Sequence, residues 1–323
     1  MNKILGTVLT SALTISLLAG CGTSTGSKKK VGIIQFMDHT SLNEIKDSFD
    51  KEMKTLGYDD KNIEYTFKNG QGDTNTCASI ANDFAGKNFD CVMAIATPAA
   101  QAVAKLATKT PVVFSAVTDP VGAQLTSSLS KPDKNITGTS DEVQVDQIID
   151  KALEINPNTK TMGMLYNKGE ANSVTNIKKA KAYCAKKNIK IEEATIASVN
   201  EAQSAVNVLN SKCDAIFAPN DNTVASAMNV VSDACKKANK PLYVGADSMV
   251  KDGGFLSVGI DYKELGKETA KIVDKVLKGN KVENIPVKVF KTNLKIYVNT
   301  TTKDKLGIKL PENITSDSKY TEI

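Results

Sequence analysis

The sequence predicts an α/β protein of two similar, doubly wound parallel-sheet lobes joined by a hinge. Three observations carry this. Apolar strand-like runs alternate with stretches of helical periodicity, the pattern of a parallel sheet covered on both faces. The order of those runs then recurs at an offset of roughly 125 to 130 residues, as repeated folding units do. At 323 residues the chain is also longer than one hydrophobic core usually fills. Residues 31–139 with about 262–288 are assigned to the first lobe, and 140–261 with about 289–323 to the second.

The elements follow in chain order. A lone Lys3 precedes an apolar run from Ile4 to Leu17, and Leu18-Ala19-Gly20-Cys21 comes next. A positive start, an apolar stretch and small residues before a cleavage point make a secretory signal. A cysteine directly after Leu-Ala-Gly resembles a bacterial lipobox. Residues 1–20 therefore read as a lipoprotein signal, and Cys21 as the lipidated first residue of the mature chain. Residues 21–30 are rich in Gly, Ser, Thr and Lys and read as a flexible tether. Val31–Phe36 reads as a buried strand. Leu42, Ile45, Phe49, Met53 and Leu56 fall at helical spacing, so Leu42–Leu56 is an amphipathic helix that Gly57 ends. Strands at Ile63–Phe67, Asp90–Ala96 and Pro111–Val117 alternate with helices at Thr74–Gly86 and Ala99–Thr108. In the second half, Thr161–Tyr166 matches Lys30–Phe36, Cys213–Pro219 matches Asp90–Ala96, and Lys240–Asp247 matches Thr110–Asp119. Thr137–Gln144 joins the halves, and the strand at Ser257–Asp261 marks a return crossing.

Composition narrows the chemistry. All 41 basic residues are lysine; the chain has no arginine and no tryptophan. A bound carboxylate or phosphate must therefore be held without the guanidinium fork, by backbone N–H groups, hydroxyls or lysine. The net charge is +5, and charges fall in mixed runs such as Asp47–Glu52 that suit solvated helix faces. No basic stripe interleaved with aromatics points to nucleic acid. With Cys21 lipidated, Cys77, Cys91, Cys184, Cys213 and Cys235 remain, without metal-ligand or disulfide spacing, and read as buried free thiols. His39 is the one histidine, and no nucleophile elbow, phosphate loop or zinc spacing appears. The expectation is no catalytic residue, no metal and no cofactor.

In open parallel sheets, ligands bind beyond the carboxyl ends of the strands. The loops expected there are Gln35–Ser41, Asn69–Thr76, Thr97–Gln101 and Ser115–Pro120 in the first half. In the second they are Asn167–Ser173, Ile196–Asn200, Pro219–Thr223 and Gly245–Met249. Several lead into helices, whose first N–H groups hold anions without arginine. Thr97 before Pro98 reads as a helix cap with proline in the first turn. The same loops carry Asp38, Asp119, Glu170, Asp221, Asp247 and Asp261. Hydroxyls and backbone donors for a carboxylate, with acids for an ammonium, suit a zwitterion.

Four stretches make the resemblance specific: Gly32–Gln35 with Asp38-His39, Ala94–Gln101, Phe114–Pro120 and Pro219–Val224. They resemble the ABC-transporter substrate-binding lipoproteins of the aromatic amino acid group, and the likeness runs from about Val31 to beyond Leu310. It implies a periplasmic-binding-protein type I-like fold that closes on its ligand. By that resemblance Thr97, Gln101, Thr118, Asp119, Glu170, Asn172, Ser173, Asp221, Asn222 and Asp247 fall on cleft positions. Gln35, His39 and the backbone at Ala99 join them as ligand-binding candidates. Where the family reads Glu-His-Pro, this chain has Asp38-His39-Thr40, a loop polar enough to meet a phenol hydroxyl.

The expectation is an extracytoplasmic, lipid-anchored receptor of an ABC importer for an aromatic amino acid, tyrosine favoured over phenylalanine or tryptophan. Its partners would be the permease and ATPase subunits, with the membrane reached through lipid alone and the receptor monomeric. An adhesin is the alternative, or a second role. Replacing Cys21 by Ala is expected to abolish lipid labelling and release the protein from the membrane fraction; unchanged retention would refute the lipobox.

Overall fold

The structure, a computed structural model, describes residues 27–292 and 294–323. The signal, Cys21 and tether residues 21–26 lie outside the described residues. The first lobe begins with strand β1 (Lys29–Gln35), helix α1 (Thr40–Thr55), β2 (Ile63–Asn69), α2 (Thr74–Ala85) and β3 (Cys91–Ile95). It continues through α3 (Thr97–Val103), β4 (Val112–Ser115) and β5 (Ile136–Ser140). The chain then crosses to the second lobe, with α4 (Val145–Ile155), β6 (Thr161–Tyr166), α5 (Ala171–Lys186), β7 (Lys190–Thr195), α6 (Ala202–Asn210) and β8 (Ala215–Ala218). There follow α7 (Asn222–Ser226), α8 (Met228–Lys237), β9 (Leu242–Val244), α9 (Asp247–Lys251) and β10 (Leu256–Gly259). Helix α10 (Tyr262–Leu277) and β11 (Lys288–Val289) return to the first lobe. Strand β12 (Lys295–Val298), helices α11 (Thr300–Lys305) and α12 (Glu312–Thr315) and strand β13 (Tyr320–Glu322) finish the second.

The first sheet has the order β11-β5-β4-β3-β1-β2 and the second β13-β12-β10-β9-β8-β6-β7. Apart from the tail strands, the two orders superpose: β5, β4, β3, β1, β2 answer to β10, β9, β8, β6, β7. The repeat seen in the sequence is thus a repeat of topology. Pairing is parallel except between β10 and β12. Central strands such as β3 and β8 are buried along their whole length, which is why they read as unbroken apolar runs. One expected boundary moves. The helix foreseen at Ala99–Thr108 starts at Thr97 and tightens to a 3-10 turn over Ala104–Thr108.

The chain passes between the lobes at residues 141–144, at residues 260–261 and between β11 and β12. The first two crossings exchange a helix, because α4 packs on β10 and β9 while α10 packs on α1, β4 and β5. The α1–α10 crossing is close. A Cβ at Gly266 would collide with Ser48 Oγ and the Ile45 carbonyl oxygen. The five cysteines of the described residues are buried and free. Gly266→Ala is expected to lower stability by about 1–3 kcal/mol through overpacking, despite the better helix propensity of alanine. Chemical denaturation checks this, and a stabilised variant would show that α1 and α10 are not in close register.

Candidate functional site

The carboxyl ends of both sheets face each other across a cavity with about 300 Å³ of empty space. That figure includes gaps between the lining atoms and space at the mouth; the room inside amounts to about 10 Å³, roughly one water, so the lobes are nearly shut on the site and must part to admit a solute. From the first lobe, His39, Ser41 and Leu42 enter at the start of α1, Ala96 and Thr97 follow β3, and Ala116 and Thr118 follow β4. The second lobe supplies Asn172, Asn220, Asp221, Asn222, Ala225 and Met249. Asp141 and Tyr262 come from the crossings themselves.

Backbone strain marks the first-lobe wall. Ala96 has φ 80° and ψ 155°, and Ala116 has φ 56°, conformations that a residue with a Cβ adopts at a cost and that concentrate at functional sites. The cap is therefore not Thr97, as the sequence suggested, but Ala96, which has no side-chain donor or acceptor to offer. Thr97 sits in the first turn with its hydroxyl buried and without a protein partner. His39 likewise occupies the α1 cap position without capping. Its Nε2 lies 3.1 Å from Asn222 Oδ1 across the cleft, and its Nδ1 is buried and unpaired. Burial, partly opposed by the Asn222 contact, lowers the imidazole pKa to about 4.

Two carboxylates face the cavity. Asp141 Oδ1 accepts from Thr118 Oγ1 at 3.0 Å, and its Oδ2 accepts from Asn220 Nδ2 at 2.6 Å and from the Tyr262 hydroxyl at 2.7 Å. Burial pushes its pKa up, against the pull of those three donors. Asp221 caps α7 through the Val224 N–H and accepts from Asn167 N–H and Ser173 Oγ, both at 2.6 Å. Burial, and then the charge of Glu170, push Asp221 above the usual carboxylate range.

Of the thirteen residues singled out in the sequence, His39, Thr97, Thr118, Asn172, Asp221 and Asn222 meet at this cavity. The others stand elsewhere. Gln35 braces the first loop, donating to the Met37 carbonyl, Asp38 and Asn43. Ala99 is core, Gln101 is exposed and donates to the Ala123 carbonyl, and Asp119 accepts from the Gly122 N–H. Glu170 and Ser173 lie one layer back, Glu170 accepting from the Asn222 and Thr223 backbone N–H groups at 3.0 Å each. Asp247 accepts from Lys251, which also reaches Glu44 on α1 at 2.9 Å. Asp261 stands with Glu44 and Asp247. Asp141, Asn220 and Tyr262 went unnoticed in the sequence. For Asp141 and Tyr262 the available signal was their place beside the first two crossings, since Thr137–Gln144 was already read as the link; Asn220 lies in the Pro219–Thr223 loop already expected at the cleft.

A family model described as ABC transporter substrate binding protein matches residues 30–321. A curated tyrosine-binding protein from Clostridioides difficile is 33% identical over 300 residues, covering 88% of this chain and 87% of its own length. A solved ABC domain from Streptococcus pneumonia in complex with L-Trp has a TM-score of 0.85 at 38% identity, covering 91% of this chain and 100% of that one. The ligand-free, open structure of a Clostridium difficile substrate binding protein with adhesive properties has a TM-score of 0.68 at 34% identity, covering 91% and 99%. At similar identity, the score is higher against the L-Trp complex than against the ligand-free, open structure.

His39 gives the fold a pH signature. Burial holds its pKa in the folded chain at about 4, below the ordinary value of 6.5. The unfolded chain therefore binds the extra proton first, and the contribution is full above pH 6.5 and lost as pH falls through about 4. His39→Gln is expected to lose less stability than wild type between pH 7 and 4, by on the order of 3 kcal/mol. Urea titrations at several pH values decide it, and parallel curves for the two proteins would remove the buried neutral imidazole.

Proposed function

The chain belongs to the ABC transporter substrate-binding protein family, and from that premise we propose that it captures an aromatic amino acid, tyrosine first, for import. The observation that carries this reading is a set of buried polar atoms on the cavity wall with no protein partner: Thr97 Oγ1, His39 Nδ1 and Asn172 Oδ1. An unpaired buried polar atom costs about 1–3 kcal/mol, so a ligand that pairs all three is favoured over one that pairs fewer. The ammonium goes to Asn172 Oδ1 and to Asp141 or Asp221. The carboxylate goes to the Thr97 hydroxyl, whose proton has no protein acceptor, the chain having no arginine. Leu42, Met249 and the alanines of the wall flank the ring.

The tyrosine preference follows from proton bookkeeping. Glu170 Oε2 accepts from Asn222 Nδ2 at 2.5 Å. A carboxylate only accepts, so the Asn222 amide is fixed with Oδ1 toward His39. His39 Nε2 must then donate, which leaves Nδ1 of the neutral ring as an acceptor. A phenol hydroxyl donates to it; phenylalanine offers nothing. The named substrates of the two relatives, tyrosine and L-Trp, support the aromatic class.

The chain acts outside the cytoplasmic membrane, held through Cys21, and delivers to permease and ATPase subunits. The protein with adhesive properties, 34% identical, favours adhesion as a second role, which attachment of cells with and without this protein measures. By calorimetry, tyrosine should bind at least about fivefold more tightly than phenylalanine, the factor that one unpaired acceptor supplies. His39→Ala should shrink that gap. Asp141→Asn should weaken both ligands at least about tenfold. Equal affinity for the two amino acids would remove the phenol contact, and tight binding of leucine or a sugar with no aromatic binding would overturn the ligand class.

A further inference from the structure

The first lobe carries a second concave surface at the end opposite the cleft. A groove of about 580 Å³ runs between the end of α2 and the turn Ala104–Thr108. Lys87, Lys105 and Lys109 stand exposed around it, Phe84, Phe89 and Leu106 form its floor, and no carboxylate lines it. Lysines near helix ends answer the helix dipole, but Lys87 and Lys109 lie beyond the helical residues, in the loops that lead into β3 and β4. The groove adjoins the point where the tether enters. The Phe84 and Phe89 rings, 5.0 Å apart, close over Gly32 of β1, where a Cβ would crowd both. At its rim Lys30 N–H donates to Asp90 at 2.8 Å.

We propose that this face docks on the anionic bilayer surface, with the groove taking phospholipid head groups. The inference rests on the anchoring at Cys21 proposed above. Seven residues, and so eight residue-to-residue steps, separate Cys21 from Lys29, and at about 3.3–3.6 Å a step they reach at most about 29 Å. The strand starts of β1, β3 and β4 therefore stay close to the membrane, and Lys28 and Lys30 extend the groove's charge toward it, while Lys29 is paired with Asp90 at 3.5 Å. Basic pockets of this kind bind lipid head groups. The ligand cavity, at the other ends of the same strands, remains clear of the bilayer.

The test uses the mature chain from residue 21 with Cys21→Ser, so that no acyl chain contributes. It is sedimented with vesicles of phosphatidylcholine alone or with about one-third phosphatidylglycerol, at low and high salt. Binding only to the anionic vesicles, weakened by salt, is expected. Changing Lys87, Lys105 and Lys109 together to Gln should cut it at least tenfold, at roughly fivefold (about 1 kcal/mol) per lysine, while the triple Arg variant keeps it. Equal sedimentation with both vesicle types at low salt would overturn the proposal. So would an equal loss when Lys186, Lys212 and Lys237 of the second lobe are changed to Gln instead. Tyrosine titrations of the same variants report the transport reading separately, because no groove residue lines the cleft.

Discussion

One buried carboxylate holds the two lobes and two of the three crossings in register. Asp141 lies on the first crossing, and Tyr262, directly after the second, donates to it at 2.7 Å. Thr118 from the first lobe and Asn220 from the second complete its shell. Asn220 also donates to Thr118 at 2.8 Å, so the lobes touch through the same cluster. A buried carboxylate is tolerated only when donors surround it. Here the donors come from three separate segments, and the charge is compensated only when those segments meet. The cluster therefore couples ligand-site electrostatics to lobe geometry: what changes the charge at Asp141 changes the hinge.

The rest of the site departs from local rules in ways that fit this arrangement. A helix cap position holding histidine leaves α1 without a side-chain cap, and an alanine at φ 80° opens α3. Each costs stability that a serine cap or a glycine would spare. Each also frees a polar group: His39 to span the cleft, Thr97 to present an unpaired hydroxyl. Breaks in local consistency of this kind gather where function outweighs folding.

That pattern explains what the sequence disclosed. The two lobes were legible because periodicity and the internal repeat are carried by core residues, Val31, Ile33, Met93 and Ile216 among them, whose burial leaves little choice of residue type. Half of the site was legible, because loops at strand ends must border the cleft. Which side chain on a loop turns inward was not, since that depends on packing between distant segments. Glu170, Asp221 and Asp247 look alike in sequence, yet only Asp221 reaches the cavity wall; Glu170 is spent on the start of α7 and Asp247 on Lys251. Asp141 resembled any linker acid until the fold brought Tyr262 to it.

The closed arrangement is a balance of small opposing contributions. Favouring it without ligand are Ser41 with Ser248 at 2.5 Å, His39 with Asn222, and Lys251 set between Glu44 and Asp247. Lys251 brings a positive charge from the second lobe to an acid on the first, and as a partly exposed pair it contributes only modestly. Opposing closure are the unpaired atoms of Thr97, His39 and Asn172, which lose water when the lobes meet. A ligand shifts such an equilibrium only by its differential affinity for the two forms. Pairing those three atoms is an interaction available in the closed form alone, because they lie on opposite lobes. Selectivity and closure thus draw on the same contacts: a solute that satisfies fewer of the three binds less tightly and also leaves more of the population open.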